Sequence, residues 1–142
     1  MKSSVYDTIL IAKANGNLAG RKAGNALDRR LKLFEAAVLG TSLTLVNAKL
    51  LNEYGSKILD FRNEAVRAFY VYAIDHGVNT GKSSLSRSDF ERSRKARWPA
   101  HDQHLIAAAI GREKVSIYVT EVQHSACAAA VRKQFGITIV PS

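Results

Sequence analysis

At 142 residues and 46% hydrophobic, the chain can bury one core of its own and is too short for two ordinary domains. Its single cysteine excludes an internal disulfide framework, no run approaches transmembrane length, and Asp7 interrupts the N-terminal residues before a signal-peptide core could form, so a cytoplasmic protein without membrane contact is expected. Lys and Arg outnumber Asp and Glu by 21 to 12, a formal charge of +9 that favours anionic partners such as nucleic acid over neutral ones.

Val5 and Tyr6 form a short strand ending near Asp7, and residues 8–12 extend an apolar run whose period fits strand and helix alike. From Asn25, the residues Leu27, Leu31, Phe34 and Val38 recur at helical spacing until Gly40, where a left-handed cap fits. Residues 42–46 have the β-branched, apolar character of a strand, and Asn47 then caps a helix carrying Leu50, Leu51, Tyr54 and Ile58. Another helix over residues 63–75 turns Val66, Phe69, Tyr70 and Ala73 inward and stops at Gly77. Residues 77–98 are polar, basic and poor in large apolar groups, which reads as a mobile loop or an exposed helical excursion. Pro99 opens a helix with Leu105, Ile106 and Ala109 as its apolar stripe and Gly111 as its end. Val115 to Val119 is the clearest strand; residues 126–133 follow as a helix stopped by Phe135-Gly136, and residues 137–140 as a last strand.

Strands alternating with helices predict a single α/β domain over residues 1–142, with a mostly parallel central sheet covered by helices on both faces. In such sheets ligands gather at the carboxyl ends of the strands. Asp7 falls at one such end, Glu53 on the helix after the second strand, Asp102 at the start of a later helix, and Glu121 just past Val119. Each has a plain structural reading as well: Asp102 as an N-cap, Glu53 as a surface helix residue, Glu121 as a charge in a first helical turn. Asp7 lacks one, since Val5, Tyr6, Ile9, Leu10 and Ile11 surround it with apolar groups. A carboxylate aimed at a core must be paired, protonated or bound to metal. Four converging acids make a hard-oxygen cage suited to Mg2+ or Mn2+, which activate water and neutralise phosphodiester charge.

Cations concentrate in Arg21, Lys22, Arg29, Arg30 and Lys32, and again in Lys82, Arg87, Arg92, Arg94, Lys95 and Arg97. Individually these are solvated surface; together they can flank a groove that follows a phosphate backbone. Two competing motifs fail on context. His101-Asp102 and His104 resemble a phosphohydrolase metal dipeptide, but those enzymes are all-helical, a zinc reading lacks a fourth ligand, and the histidines default to surface or helix-start polarity. Gly77 to Ser83 ends in Gly-Lys-Ser, but its first glycine is one position too close and no strong strand feeds it, so it reads as a flexible connection.

In the order and spacing of its pieces the chain resembles the PIN-domain nucleases. Tyr6-Asp7-Thr8-Ile9-Leu10-Ile11 resembles their Asp-Thr-Asn-apolar opening, Glu53-Tyr54 the second acid on a helix after a short strand, and Asp102-Gln-His-Leu-Ile-Ala-Ala-Ala-Ile110 the third acid with its apolar helix. Ile117-Tyr-Val-Thr120-Glu121-Val-Gln-His124 resembles their closing strand and acid, with residues 135–140 as the final strand. Two positions depart: Ile9 replaces the usual Asn, and Val122 stands where a Thr-x-Asp pattern places its acid, so Glu121 is the substitute or the fourth position is vacant. The resemblance implies an endoribonuclease with Mg2+ or Mn2+ held by Asp7, Glu53, Asp102 and Glu121. RNA, or DNA, is the expected ligand, contacted by Thr8 and Thr120 beside the acids and by Arg92, Arg94, Lys95 and Arg97 of the second basic cluster. A toxin role with an antitoxin protein as partner, and a homodimer, belong to the same expectation. The alternative is a catalytically impaired module of the same fold that binds nucleic acid or protein.

Overall fold

Among the described residues five short strands carry the core: β1 (Ser3–Tyr6), β2 (Leu43–Val46), β3 (Val78–Asn79), β4 (Val115–Val119) and β5 (Thr138–Pro141). The computed structural model describes residues 2–16, 24–57 and 63–142, without the side chains of residues 24–28 and 57. All strand pairs are parallel, in the order β3-β2-β1-β4-β5. The fold is α/β, as its alternating pattern predicts, and the sheet is parallel throughout.

In-register parallel neighbours share a face. Tyr6 pairs with Tyr118 and stacks on it with ring centroids 5.3 Å apart. The same ring meets Phe34 and Phe69, so α2 (Gly24–Val38) and α4 (Glu64–His76) cover this face. On the opposite face Val5, Leu45 and Ile117 are wholly buried under α6 (Gln103–Ala109), which packs on β1, β2 and β4. Burying each such side chain contributes roughly 1.5–3 kcal/mol relative to exposure. Only Gln103 of α6 escapes burial, so the helix is internal rather than striped.

Local signals set most boundaries. The ambiguous run after Asp7 is helical, as α1 (Thr8–Ala14). Asn47 caps α3 (Ala48–Lys57): its Oδ1 accepts from the Leu50 amide at 2.9 Å, while its Nδ2 donates to the carbonyls of Lys82 and His104. Asn63 caps α4 through the amides of Ala65 and Val66. Gly40, at φ +77°, supplies the left-handed turn after α2. The expected positions Leu27, Ile58, Arg21 and Lys22 lie outside the described residues or side chains.

Some expectations change. The Gly77 to Ser83 segment is not simply a flexible connection, because Val78 and Asn79 pair with Leu45 and Val46 and the Thr80 amide donates to the Val46 carbonyl. The rest of residues 77–98 contains α5 (Arg87–Lys95), capped by Ser86, in line with the helical reading. The expected helix over residues 126–133 is preceded by a separate turn of helix, α7 (Val122–Ser125), before α8 (Ala128–Phe135). Among the described residues no helix is long and apolar enough to cross a membrane.

Candidate functional site

The sheet order reverses at β1: β2 and β3 lie on one side of it, β4 and β5 on the other. Connections leaving two adjacent parallel strands in opposite directions open a crevice at their carboxyl ends. Asp7 follows β1 directly, its amide donating to the Tyr118 carbonyl at 3.0 Å, and Glu121 follows β4 with only Thr120 between. Both acids stand at that crevice.

Asp7, Asp102 and Glu121 occupy the N-cap positions of α1, α6 and α7, yet none makes a side-chain capping hydrogen bond. The capping reading accounts for the place of Asp102 and leaves its carboxylate unexplained. Asp7 is 4% exposed and its Oδ2 is buried without a hydrogen-bond partner among the described residues. One ligand atom from each of Asp7, Glu121 and His124 falls within a 4.8 Å span. Asp102 joins through His124, whose Nε2 lies 2.8 Å from the Asp102 Oδ2.

Trp98 braces this cluster. α5 ends in a left-handed turn at Arg97 (φ 63°), with the Trp98 amide donating back to the Ser93 carbonyl and that of Arg97 to Arg94, the pattern of a Schellman cap. The turn brings the Trp98 ring to 4.7 Å from the His124 ring, and its Nε1 donates to the Asp102 carbonyl at 2.8 Å.

Glu53 belongs to a second pair. Its Oε1 lies 2.8 Å from the His104 Nε2, off the line of a good hydrogen bond, and accepts from the Thr8 hydroxyl at 3.4 Å. Thr8 adjoins Asp7, and both Asp7 and Glu53 act electrostatically on the buried Tyr54, so the two pairs border one another.

Burial pushes the Asp7 carboxyl up to about 6, with Asp102 and Glu121 adding to the rise and His124 opposing it. At Asp102 burial also pushes upward, but the His124 hydrogen bond and charge outweigh it and hold the group below its ordinary value. Burial drives both histidines toward neutrality. His124 nevertheless sits above its ordinary value because the Asp102 hydrogen bond, Asp7 and Glu121 prevail, whereas His104 sits below because burial, helped by Lys49, outweighs Glu53 and Asp102.

The structure thus gathers Asp7, Asp102 and Glu121, with Glu53 alongside. Thr8 is buried onto Glu53, and the Thr120 hydroxyl is buried beside Glu121 without a hydrogen-bond partner among the described residues. None of the basic residues Arg92, Arg94, Lys95 and Arg97 forms an ion pair with these acids among the described residues. Arg92 is held by Asp89, the Gln134 carbonyl and the Phe135 ring, and Arg94 by Glu91. Lys95 and Arg97 are exposed, without ion-pair partners among the described residues.

His104 and His124 overturn the surface reading of the histidines: they are 1% and 0% exposed. A signal for each was present. Apolar residues at every position from Leu105 to Ala109 imply a helix buried all round, His104 included, and His124 lies one helical turn after Glu121. Lys49, whose Nζ reaches the His101 carbonyl at 3.5 Å, carries no such signal. No protein-family model, no curated protein and no solved structure matches this chain.

Proposed function

We propose that the chain is a metal-dependent nuclease of the PIN type that hydrolyses phosphodiester bonds, with RNA as its substrate. The observation that carries this reading is the buried, unpartnered Asp7 Oδ2 at the carboxyl end of the central strand, beside Glu121, His124 and Asp102. An isolated buried carboxylate is costly, and a divalent cation is the partner that satisfies several at once. The donor set fits such an ion: Asp7 and Glu121 would hold it, with Asp102 supporting them through His124, and when bound it supplies an activated water and neutralises phosphate charge. Glu53, steadied by Thr8 and His104, would orient that water or accept its proton. The Lys95 and Arg97 side chains, with Lys49 nearer the acids, supply the cations that a phosphate backbone needs. The toxin role and an antitoxin partner are a separate proposal, which metal-dependent cleavage alone does not decide.

One observation favours a second reading, a binding module without catalysis. Val122, at the place of the expected acid, is 81% exposed and offers no ligand, leaving Glu121 as the acid at that strand end. A single experiment separates the two: purified protein stripped of metal, titrated with Mg2+ or Mn2+ and given single-stranded RNA. Metal-dependent cleavage that chelator abolishes is the expected result; RNA binding without cleavage at any metal concentration would establish the module instead.

A further inference from the structure

We propose that a ring nitrogen of His124 is a direct metal ligand, making the site a mixed nitrogen and oxygen centre that holds first-row transition ions such as Mn2+ ahead of Mg2+. This rests on the metal-binding reading of the acids and specifies which ion they serve. A ring nitrogen of His124 and one carboxylate oxygen each from Asp7 and Glu121 lie within 4.8 Å of one another. Ligands around a six-coordinate ion with bonds of about 2.1 Å are separated by roughly 3 to 4.2 Å, so small inward shifts close this group on one cation.

Two polar atoms of these three residues, Asp7 Oδ2 and His124 Nδ1, are buried and without hydrogen-bond partners among the described residues. The ring is also held in place, by Asp102 Oδ2 at 2.8 Å from Nε2 and by the Trp98 ring. A carboxylate that orients an imidazole is the usual support of a metal-bound histidine. An ordinary buried histidine needs neither two further acids nor an unpaired nitrogen.

The ion preference follows from donor chemistry. Mg2+ takes oxygen ligands and parts reluctantly with its waters, so replacing a water by imidazole gains it little. Transition ions accept imidazole nitrogen readily, and Mn2+ shares the six-coordinate habit of Mg2+. Only this nitrogen separates the two ions at a site otherwise built of carboxylates.

The test uses the full chain with Mn2+ or Mg2+ alone as probe. Equilibrium dialysis should give tighter binding of Mn2+, and pulsed electron paramagnetic resonance of the bound Mn2+ should show coupling to a directly ligated 14N. In His124→Gln the coupling should vanish and Mn2+ affinity fall by about tenfold or more, the scale of losing a group that tunes a metal site. Mg2+ affinity should move far less. The His101 ring also lies 3.3 Å from Asp102 Oδ2. His101→Gln and His104→Gln should each keep the coupling, which leaves His124 as the nitrogen even if its own variant does not fold. Bound Mn2+ without 14N coupling, or coupling that disappears in His101→Gln or His104→Gln, would overturn the proposal and leave the carboxylate site standing. Failure of both ions to bind would overturn the nitrogen ligand and the metal-dependent reading together.

Discussion

The crevice holds two acid and imidazole pairs of almost the same dimensions, Asp102 with His124 and Glu53 with His104, each with a closest approach of 2.8 Å and each built on a buried ring. Their electrostatics diverge. At His124 the Asp102 hydrogen bond, Asp7 and Glu121 outweigh burial and push the ring toward the charged form, whereas at His104 burial, with Lys49 adding to it, outweighs Glu53 and Asp102 and pushes the ring toward neutrality. Distance to one partner does not fix the state of a buried histidine; the balance of burial against all the charges around the ring does. The pair next to Asp7 is suited to gathering charge, and the pair beside it to holding Glu53 in place.

The comparison breaks first at Asp7. Asp7→Asn should reduce the proposed metal-dependent RNA cleavage by about a thousandfold or more, since several kcal/mol of charge stabilisation are removed at about 1.4 kcal/mol per decade. The same substitution should stabilise the metal-free protein. With a folded-state value of about 6 against an unfolded 3.8, Asp7 contributes stability that is complete below about 4 and disappears as pH rises through 6. The advantage of the Asn variant in chelator should therefore grow across that window to about 3 kcal/mol and then level off. Denaturant unfolding at several pH values measures it. An Asn variant less stable than the wild type at neutral pH would mark Asp7 as a structural acid.

Glu53→Gln probes the neighbouring pair. It keeps an acceptor for the Thr8 hydroxyl and removes a charge that orients rather than gathers, so cleavage should fall by about 10- to 100-fold while Mn2+ affinity changes little. Equal reductions from Glu53→Gln and Asp7→Asn would erase the distinction between the pairs. Direct titration of the two rings by NMR in metal-free protein sharpens it further: His124 should hold its proton above pH 6.5 and His104 should release its proton below that value. Identical midpoints would contradict the opposite balance of burial and charge at the two rings.

The smallest effect belongs to the surface. Replacing Lys95 and Arg97 with Ala should lower the slope of log affinity against log salt by about 0.7 for each single-strand phosphate that is no longer neutralised, with a modest drop in affinity at physiological salt. Arg92 and Arg94, occupied by Asp89 and Glu91, should contribute less than Lys95 and Arg97.

Local chemistry made much of this legible. The strands around Val5, Leu45 and Ile117 and the helices ending at Gly40 and Gly77 announce themselves by pattern and by stop residues. An acid among the apolar neighbours of Asp7 marks its site, because few other roles fit it there. β3 was illegible since Val78 and Asn79 are a strand only by pairing with β2, a partner far away in sequence. The histidines were legible only in part: the all-apolar run after His104 and the one-turn spacing from Glu121 to His124 hint at burial, but what α6 and Trp98 pack against decides it.

The central position of β1 has a consequence for the order of assembly. β1 is made first, yet one of its two neighbours, β4, is made late, after β2, β3 and the helices from α1 to α6. Until β4 arrives, one edge of β1 has no strand partner, and Asp7 has neither Glu121 nor His124 beside it. Such distant pairing makes closure slow, because the intervening chain must be drawn in before any pairing rewards it. A partly synthesised chain therefore carries the first acids without the crevice, and the centre comes into being in one late step, when β4 docks.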